Sequence, residues 1–291
     1  MCIRARPRAL VRVLSVPVIV AAIACIAGVL PFEAVPTRAA TPPLRHSPDM
    51  YASAVVTLDK FLFLPLMLGG AGLAGCQPIT SESYGTLSVN GPPTDRPAEQ
   101  HADLNLGWRG FTPTSATLGL VNIGGPTDSS APQFPGLFSD DRTPQFSSAA
   151  RVYNWSWGCN CATTPISQPP VTLLGMGTVA GELIHTPQSG YDIGSGYEVL
   201  VLYAAPARIT LKYTREDNVI QGYTIHVENV CVEPRLLALY QLSNSNGRGQ
   251  LPALHSGQAF GRASGGEIAI AIQDSGAWME PRSRKDWWRG R

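Results

Sequence analysis

The sequence predicts an all-β fold: an antiparallel β-sandwich or barrel-like C-terminal domain, preceded by an irregular β region and an N-terminal export segment. Three observations carry this. Gly 29 and Pro 25 together make nearly a fifth of the 291 residues, a composition that favours short strands joined by turns over long helices. Hydrophobic residues make up 44% of the chain and charged ones only 15%, enough apolar material for a core. From Val171 onward, several segments alternate apolar and polar residues with the period of two expected of strands.

Residues 1–76 read as an export leader. Arg4, Arg6, Arg8 and Arg12 precede an uncharged run from Val13 to Phe32, and PTRAAT follows. This is the basic, apolar, small-residue order of a secretory signal. The run is also close to the ~20 residues that span a bilayer, so a membrane anchor is the alternative. A second apolar stretch, FLFLPLMLGGAGLAGC, ends in Leu73-Ala74-Gly75-Cys76 and resembles the lipobox of bacterial lipoproteins, which implies a diacylated Cys76. Two export signals in tandem suggest Met50 as the working start, with a processed first signal as the rival. Either way residues 77–291 are expected outside the cytoplasm, in the cell envelope, held to the membrane by a lipidated Cys76 or by the N-terminal segment. Residues 1–76 carry seven Lys/Arg against three Asp/Glu, and residues 77–291 carry 15 against 18. The exported part is slightly acidic, which argues against a nucleic-acid partner.

The remaining segments follow in order. Residues 77–100, rich in Ser, Pro and Gly, read as a linker. Residues 101–170 hold short apolar pieces such as ATLGLVNIGG and ARVYNWSWG, with PTDSSAPQFPGLFSDDRTPQF as a long surface loop. Residues 171–281 hold the strand candidates VTLLGMGTVAGELI, YEVLVLYAA, ARITLKYT, GYTIHVENVCV, LLALYQL and EIAIAIQD. Ile209, Leu211 and Tyr213 share one face while Thr210 and Lys212 share the other. Tyr223, Ile225 and Val227 oppose Thr224, His226 and Glu228 in the same way. The one helical feature expected is a turn near Pro234–Leu242, and TREDN reads as a charged hairpin tip. The tail, 282–291, sets five Lys/Arg against one Asp and includes Trp287 and Trp288. It suits an anionic surface or a glycan, or alternatively packs its tryptophans back against the sandwich.

Of the six cysteines, Cys2 and Cys25 lie in the leader and Cys76 in the lipobox. Cysteines one residue apart rarely bridge, so the expected disulfide joins Cys159 or Cys161 to Cys231 in an oxidising compartment. A zinc site at Cys159 and Cys161 is disfavoured, because zinc-binding pairs usually sit two to four residues apart.

QSGYDIG, residues 188–194, reads either as a metal-binding turn or as a hairpin in which Asp192 caps backbone N–H groups. Four colinear pieces decide what it resembles: QSGYDIG itself, the run from Tyr197 to Val230, LLALYQL, and the closing LPALHSGQAFGRASGGEIAIAIQDSGAWMEP. Together, over residues 182–281, they resemble the lysostaphin-like zinc endopeptidases that cut cell-wall peptide cross-links. The resemblance implies zinc ligands at Gln188, Asp192 and Ala269, and water-holding histidines near Leu242 and at Glu267. Only Asp192 is a competent ligand, whereas a catalytic zinc needs about three protein ligands and an open position. The chain is therefore identified as a degenerate member, with Gln188, Asp192 and Glu267 as groove residues and no cofactor expected. The implied role is non-catalytic binding of cell-wall peptidoglycan, peptide or glycan, or of an envelope protein. The alternatives are a metal-dependent endopeptidase with a rebuilt zinc site at His185, Asp192 and His226, and a structural envelope component.

Overall fold

The computed structural model describes residues 76–291. The export signal and most of the lipobox run lie outside the described residues. Fourteen strands are present: β1 (Gly85–Ser88), β2 (Phe111–Pro113), β3 (Phe146–Ser156), β4 (Cys161–Pro165), β5 (Leu173–Gly177), β6 (Leu183–His185), β7 (Tyr197–Ala205), β8 (Arg208–Lys212), β9 (Tyr223–Glu228), β10 (Val230–Val232), β11 (Gln250–His255), β12 (Ala259–Ala263), β13 (Glu267–Asp274) and β14 (Ala277–Trp278). The helices are α1 (Leu106–Arg109), α2 (Pro234–Ser245) and α3 (Arg284–Trp287).

The predicted all-β sandwich is correct, and no barrel closes. One large antiparallel sheet runs in the order β1-β11-β7-β8-β9-β13-β5-β3-β2, with β14 added to β13 and β4 to β3. A three-stranded sheet, β10-β12-β6, stacks on it. Ile209, Leu211, Ile225, Val227, Ile268, Ile270 and Ile272 point from the large sheet into one core. There they meet Val230, Val232 and Phe260 of the small sheet and Leu236 of α2. The opposite face is covered as well. Leu106 of α1, Val152, Ile166, Leu173, Ala269 and Ala271 form a second, smaller core beneath Trp278.

Several expectations need correction. Residues 77–100 are not a free linker, because β1 pairs with β11 from Gly85 opposite Ala253 to Ser88 opposite Gln250. Residues 101–170 are not a separate region, since β2, β3 and β5 extend the same sheet. The expected surface loop instead places Phe134, Leu137 and Phe138 in the core, each at most 1% exposed. Of the two expectations for LLALYQL, the strand fails and the helical turn near Pro234–Leu242 holds: Pro234 starts α2, the Glu233 carboxylate accepts from Leu236 N at 2.8 Å, and the run contains no β-branched residue. TREDN is not a solvated tip, because Asp217 is buried and forms a two-pronged ion pair with Arg248, both contacts at 2.7 Å. Of the two readings of the tail, the packed one holds. Trp287 and Trp288 are buried, donate their indole N–H to Glu280 O and Pro281 O at 2.9 Å, and surround Phe134.

The disulfides also differ from expectation. Cys159 bridges Cys161, and Cys76 bridges Cys231. The bridge expected between Cys231 and Cys159 or Cys161 is replaced because Cys231, on buried β10, faces the N-terminal entry of the described chain. One sulfur cannot hold both a disulfide and a thioether, so the bridge at Cys76 and the expected lipidation exclude each other.

Candidate functional site

The turn at residues 187–196 is held by a set of hydrogen bonds. Tyr213 Oη donates to Pro187 O at 2.8 Å, Gln133 N to Gln188 O at 2.8 Å, and Gly190 N to Ser130 O at 2.9 Å. Ser189 N donates to the buried Glu198 carboxylate. Gly190 is required by close approach, since a Cβ there would come within 2.6 Å of the Ser130 hydroxyl. Asp192 is exposed and accepts from Gly194 N at 2.7 Å, the Asx turn of an Asp beside Gly.

The proposed metal residues are not brought together. Among the described residues no group of three or more His, Cys, Asp and Glu side chains could hold a metal ion. His185 lies on β6 with Nδ1 3.4 Å from Leu137 O, and shares a small cleft with Gln188 and Asp141. His226 is fully buried on the other side of the large sheet's apolar layer, stacked on Trp278 with ring centroids 5.3 Å apart. Thr210 Oγ1 gives its one proton to Leu104 O at 2.6 Å, so it accepts from His226 Nδ1 at 3.1 Å, leaving Nε2 a bare acceptor. Burial first, then the charge of Arg109, depresses the imidazole pKa to about 3. Glu267 accepts from the hydroxyls of Ser147 and Ser148 at 2.5 and 2.9 Å. Ala269 is buried within the second core. Leu242 is an exposed residue of α2. The face that the resemblance assigns to zinc is therefore filled by Leu106, Ile166 and Trp278.

What the QSGYDIG turn does contribute is Tyr191. Its Oη donates to Asp128 Oδ2 at 2.7 Å, Tyr223 Oη donates to the same oxygen at 3.2 Å, and Ser130 N donates to Oδ1 at 2.8 Å. The two tyrosine rings meet edge to face with centroids 6.0 Å apart. Burial would raise the Asp128 pKa, but these three hydrogen bonds and Arg289 outweigh it and hold the carboxyl below its usual range. Desolvation and the Asp128 hydrogen bond push the Tyr191 phenol up to about 12.

Asp128 and Tyr223 open onto a cleft of about 580 Å³, whose wall includes Trp278, Met279, Asp274 and Lys285. Trp278 sits on the short β13–β14 hairpin, with the Arg109 guanidinium 5.3 Å from its ring centroid. Among the described residues neither Asp128 nor Asp274 is paired with a cation, whereas Asp286 pairs with Lys285 at 2.6 Å and Glu280 with Arg282 at 2.7 Å. The cleft thus combines aromatic and apolar surface with two carboxyl groups near Tyr223. Sequence reading missed it because Asp128, Tyr191, Tyr223 and the hairpin carrying Asp274 and Trp278 are four separate segments. The one legible signal was a Tyr within the suspect turn.

No family model, no curated protein and no solved structure matches the chain. The likeness to lysostaphin-like endopeptidases rests on the sequence motifs alone.

Proposed function

We propose that the chain is an exported cell-envelope protein that binds cell-wall peptidoglycan without cleaving it. Its ligand-binding surface is the cleft between Asp128, Tyr223, Asp274 and Trp278. Two disulfides support residence in an oxidising compartment. The single observation that carries the ligand class is the pairing of an aromatic wall with two carboxylates free of cation partners among the described residues. Such a surface suits a muropeptide, with its amine against Asp128 and Asp274 and an apolar sugar face or side chain against Trp278.

The experiment is a titration of the purified protein with soluble muropeptides, followed by calorimetry, with mass analysis for cleavage. Asp274→Asn and Trp278→Ala are each expected to weaken binding at least tenfold, Asp192→Ala to leave it unchanged, and the muropeptides to remain intact with or without added zinc. Wild-type affinity in both cleft variants would overturn the reading. So would stoichiometric zinc that is lost in Asp192→Ala.

A further inference from the structure

The β3–β4 hairpin carries a feature that ligand binding does not use. Cys159 and Cys161 form a disulfide at its tip, and β4 is exposed along its whole length. Asn160, between the two cysteines, adopts φ 50°, the left-handed region that Asn enters more readily than most other non-glycine residues. Arg96, itself paired with Asp95 at 2.8 Å, donates from Nη1 to Asn160 Oδ1 at 3.1 Å and lies 4.4 Å from the Trp157 ring centroid. His101 meets the other aspect of that indole edge to face at 5.2 Å. The tip is therefore held in one shape by a built support, with both cysteines exposed. A purely structural bridge needs neither this exposure nor this backing. Exposed or strained disulfides are the more oxidising, exchangeable ones, whereas stable structural ones resist reduction. Cys76–Cys231 offers the contrast within the same chain, with Cys231 2% exposed on β10.

We propose that Cys159–Cys161 is a thiol–disulfide exchange centre that oxidises a cysteine pair in an exported polypeptide. A partner thiolate attacks one sulfur of the bridge. The S–S bond breaks, the other cysteine leaves as a thiolate and takes up a proton, and the partner is held as a mixed disulfide. The partner's second thiolate then attacks its own sulfur in that bond and displaces the remaining cysteine, which is protonated in turn. The partner loses two electrons and two protons and gains a disulfide, while Cys159 and Cys161 become thiols. One chain oxidises one pair.

The test uses the full chain. In glutathione buffers of stepped composition, differential alkylation and peptide mass mapping are expected to show Cys159–Cys161 half reduced at a [GSH]²/[GSSG] ratio at least a hundredfold below that which opens Cys76–Cys231. Mixing with one equivalent of reduced, unfolded ribonuclease is expected to move the thiols onto Cys159 and Cys161. Cys161→Ser is expected to trap glutathione on Cys159. The proposal is overturned if both bridges open together, or if a Cys159→Ser/Cys161→Ser variant matches wild type in oxidising ribonuclease. Because these readouts do not depend on muropeptide binding, they stand or fall separately from it.

Discussion

The two faces of the central sheet are both buried, yet they are made of different residues. On strands β8, β9 and β13 one face carries Ile209, Leu211, Ile225, Val227, Ile268, Ile270 and Ile272. The other carries Thr210, Lys212, Thr224, His226, Glu228 and Gln273, each at most 4% exposed. The first face is stabilised by packing that any apolar neighbour of the right volume could supply. The second depends on particular partners: Leu104 O for Thr210, Gln221 O and Gly222 O for Lys212, and Arg208 at 3.1 Å for Glu228. Where partners run out, polar atoms stay unsatisfied, as at His226 Nε2, Thr224 Oγ1 and both amide atoms of Gln273. Burial of polar groups on that scale costs stability unless each finds a partner. One face therefore supplies the fold's free energy, and the other spends some of it.

Three measurements sharpen the contrast. The largest effect is expected at the apolar face, where Ile270→Ala removes a fully buried side chain and should cost about 2–5 kcal/mol of unfolding free energy in urea. A loss below 1 kcal/mol would mean that the face is not the main core.

The intermediate effect is pH-dependent and belongs to the polar face. His226 has its folded pKa depressed to about 3, so its contribution is complete above the free-imidazole value near 6.5 and is lost as pH falls toward 3. Glu228 has the opposite sign. Burial, opposed by Arg208, raises it to about 7, so its contribution is complete below about 4.5 and is lost as pH rises through 7. The two slopes oppose each other between these limits, and below about 4.5 only His226 of this pair still titrates. A His226→Gln variant should show a shallower acid limb than wild type in denaturation curves from pH 6.5 to 3; an unchanged limb would place the destabilising proton elsewhere.

The smallest effect is expected at Gln273. Replacing its two unsatisfied amide atoms with the near-isosteric Leu should leave stability within about 1 kcal/mol of wild type or raise it. A loss above 2 kcal/mol would show that the amide is satisfied in solution.

The same contrast explains what could be read from the sequence. EIAIAIQD, ARITLKYT and GYTIHVENV announced strands because alternation is local, and β13, β8 and β9 lie where they were expected. The alternation places Thr210, His226 and Glu228 on the polar face, and a polar face is ordinarily expected to meet water. That step fails because α1 and the segment around Leu104 fold over this face, and nothing near His226 in sequence announces a cover supplied from 100 residues earlier. LLALYQL was read both as a strand candidate and as part of a helical turn near Pro234–Leu242, and the helical reading holds, set by Glu233 and Pro234. At the site, the Asx turn at Asp192 was legible as an alternative to a metal turn, since it needs only Asp192 and Gly194. The Asp128–Tyr191–Tyr223 arrangement was not, because it is long-range. The bridge within Cys159-Asn160-Cys161 was passed over on base rates, and only the positive φ of Asn160 makes it geometrically accessible.

The Cys76–Cys231 bridge has a mechanical consequence. Without it, tension at Cys76 would fall on the contacts of Ile79 with Glu233 and Arg235 and then on β1, a four-residue edge strand that would peel from β11. With the bridge closed, that load passes into β10, an edge strand of the smaller sheet that is buried throughout and paired with β12 from Val230 to Val232. The bond thus acts as a strain relief where the described chain begins, diverting a pull from the N-terminal side away from the exposed edge of the large sheet and into a buried strand.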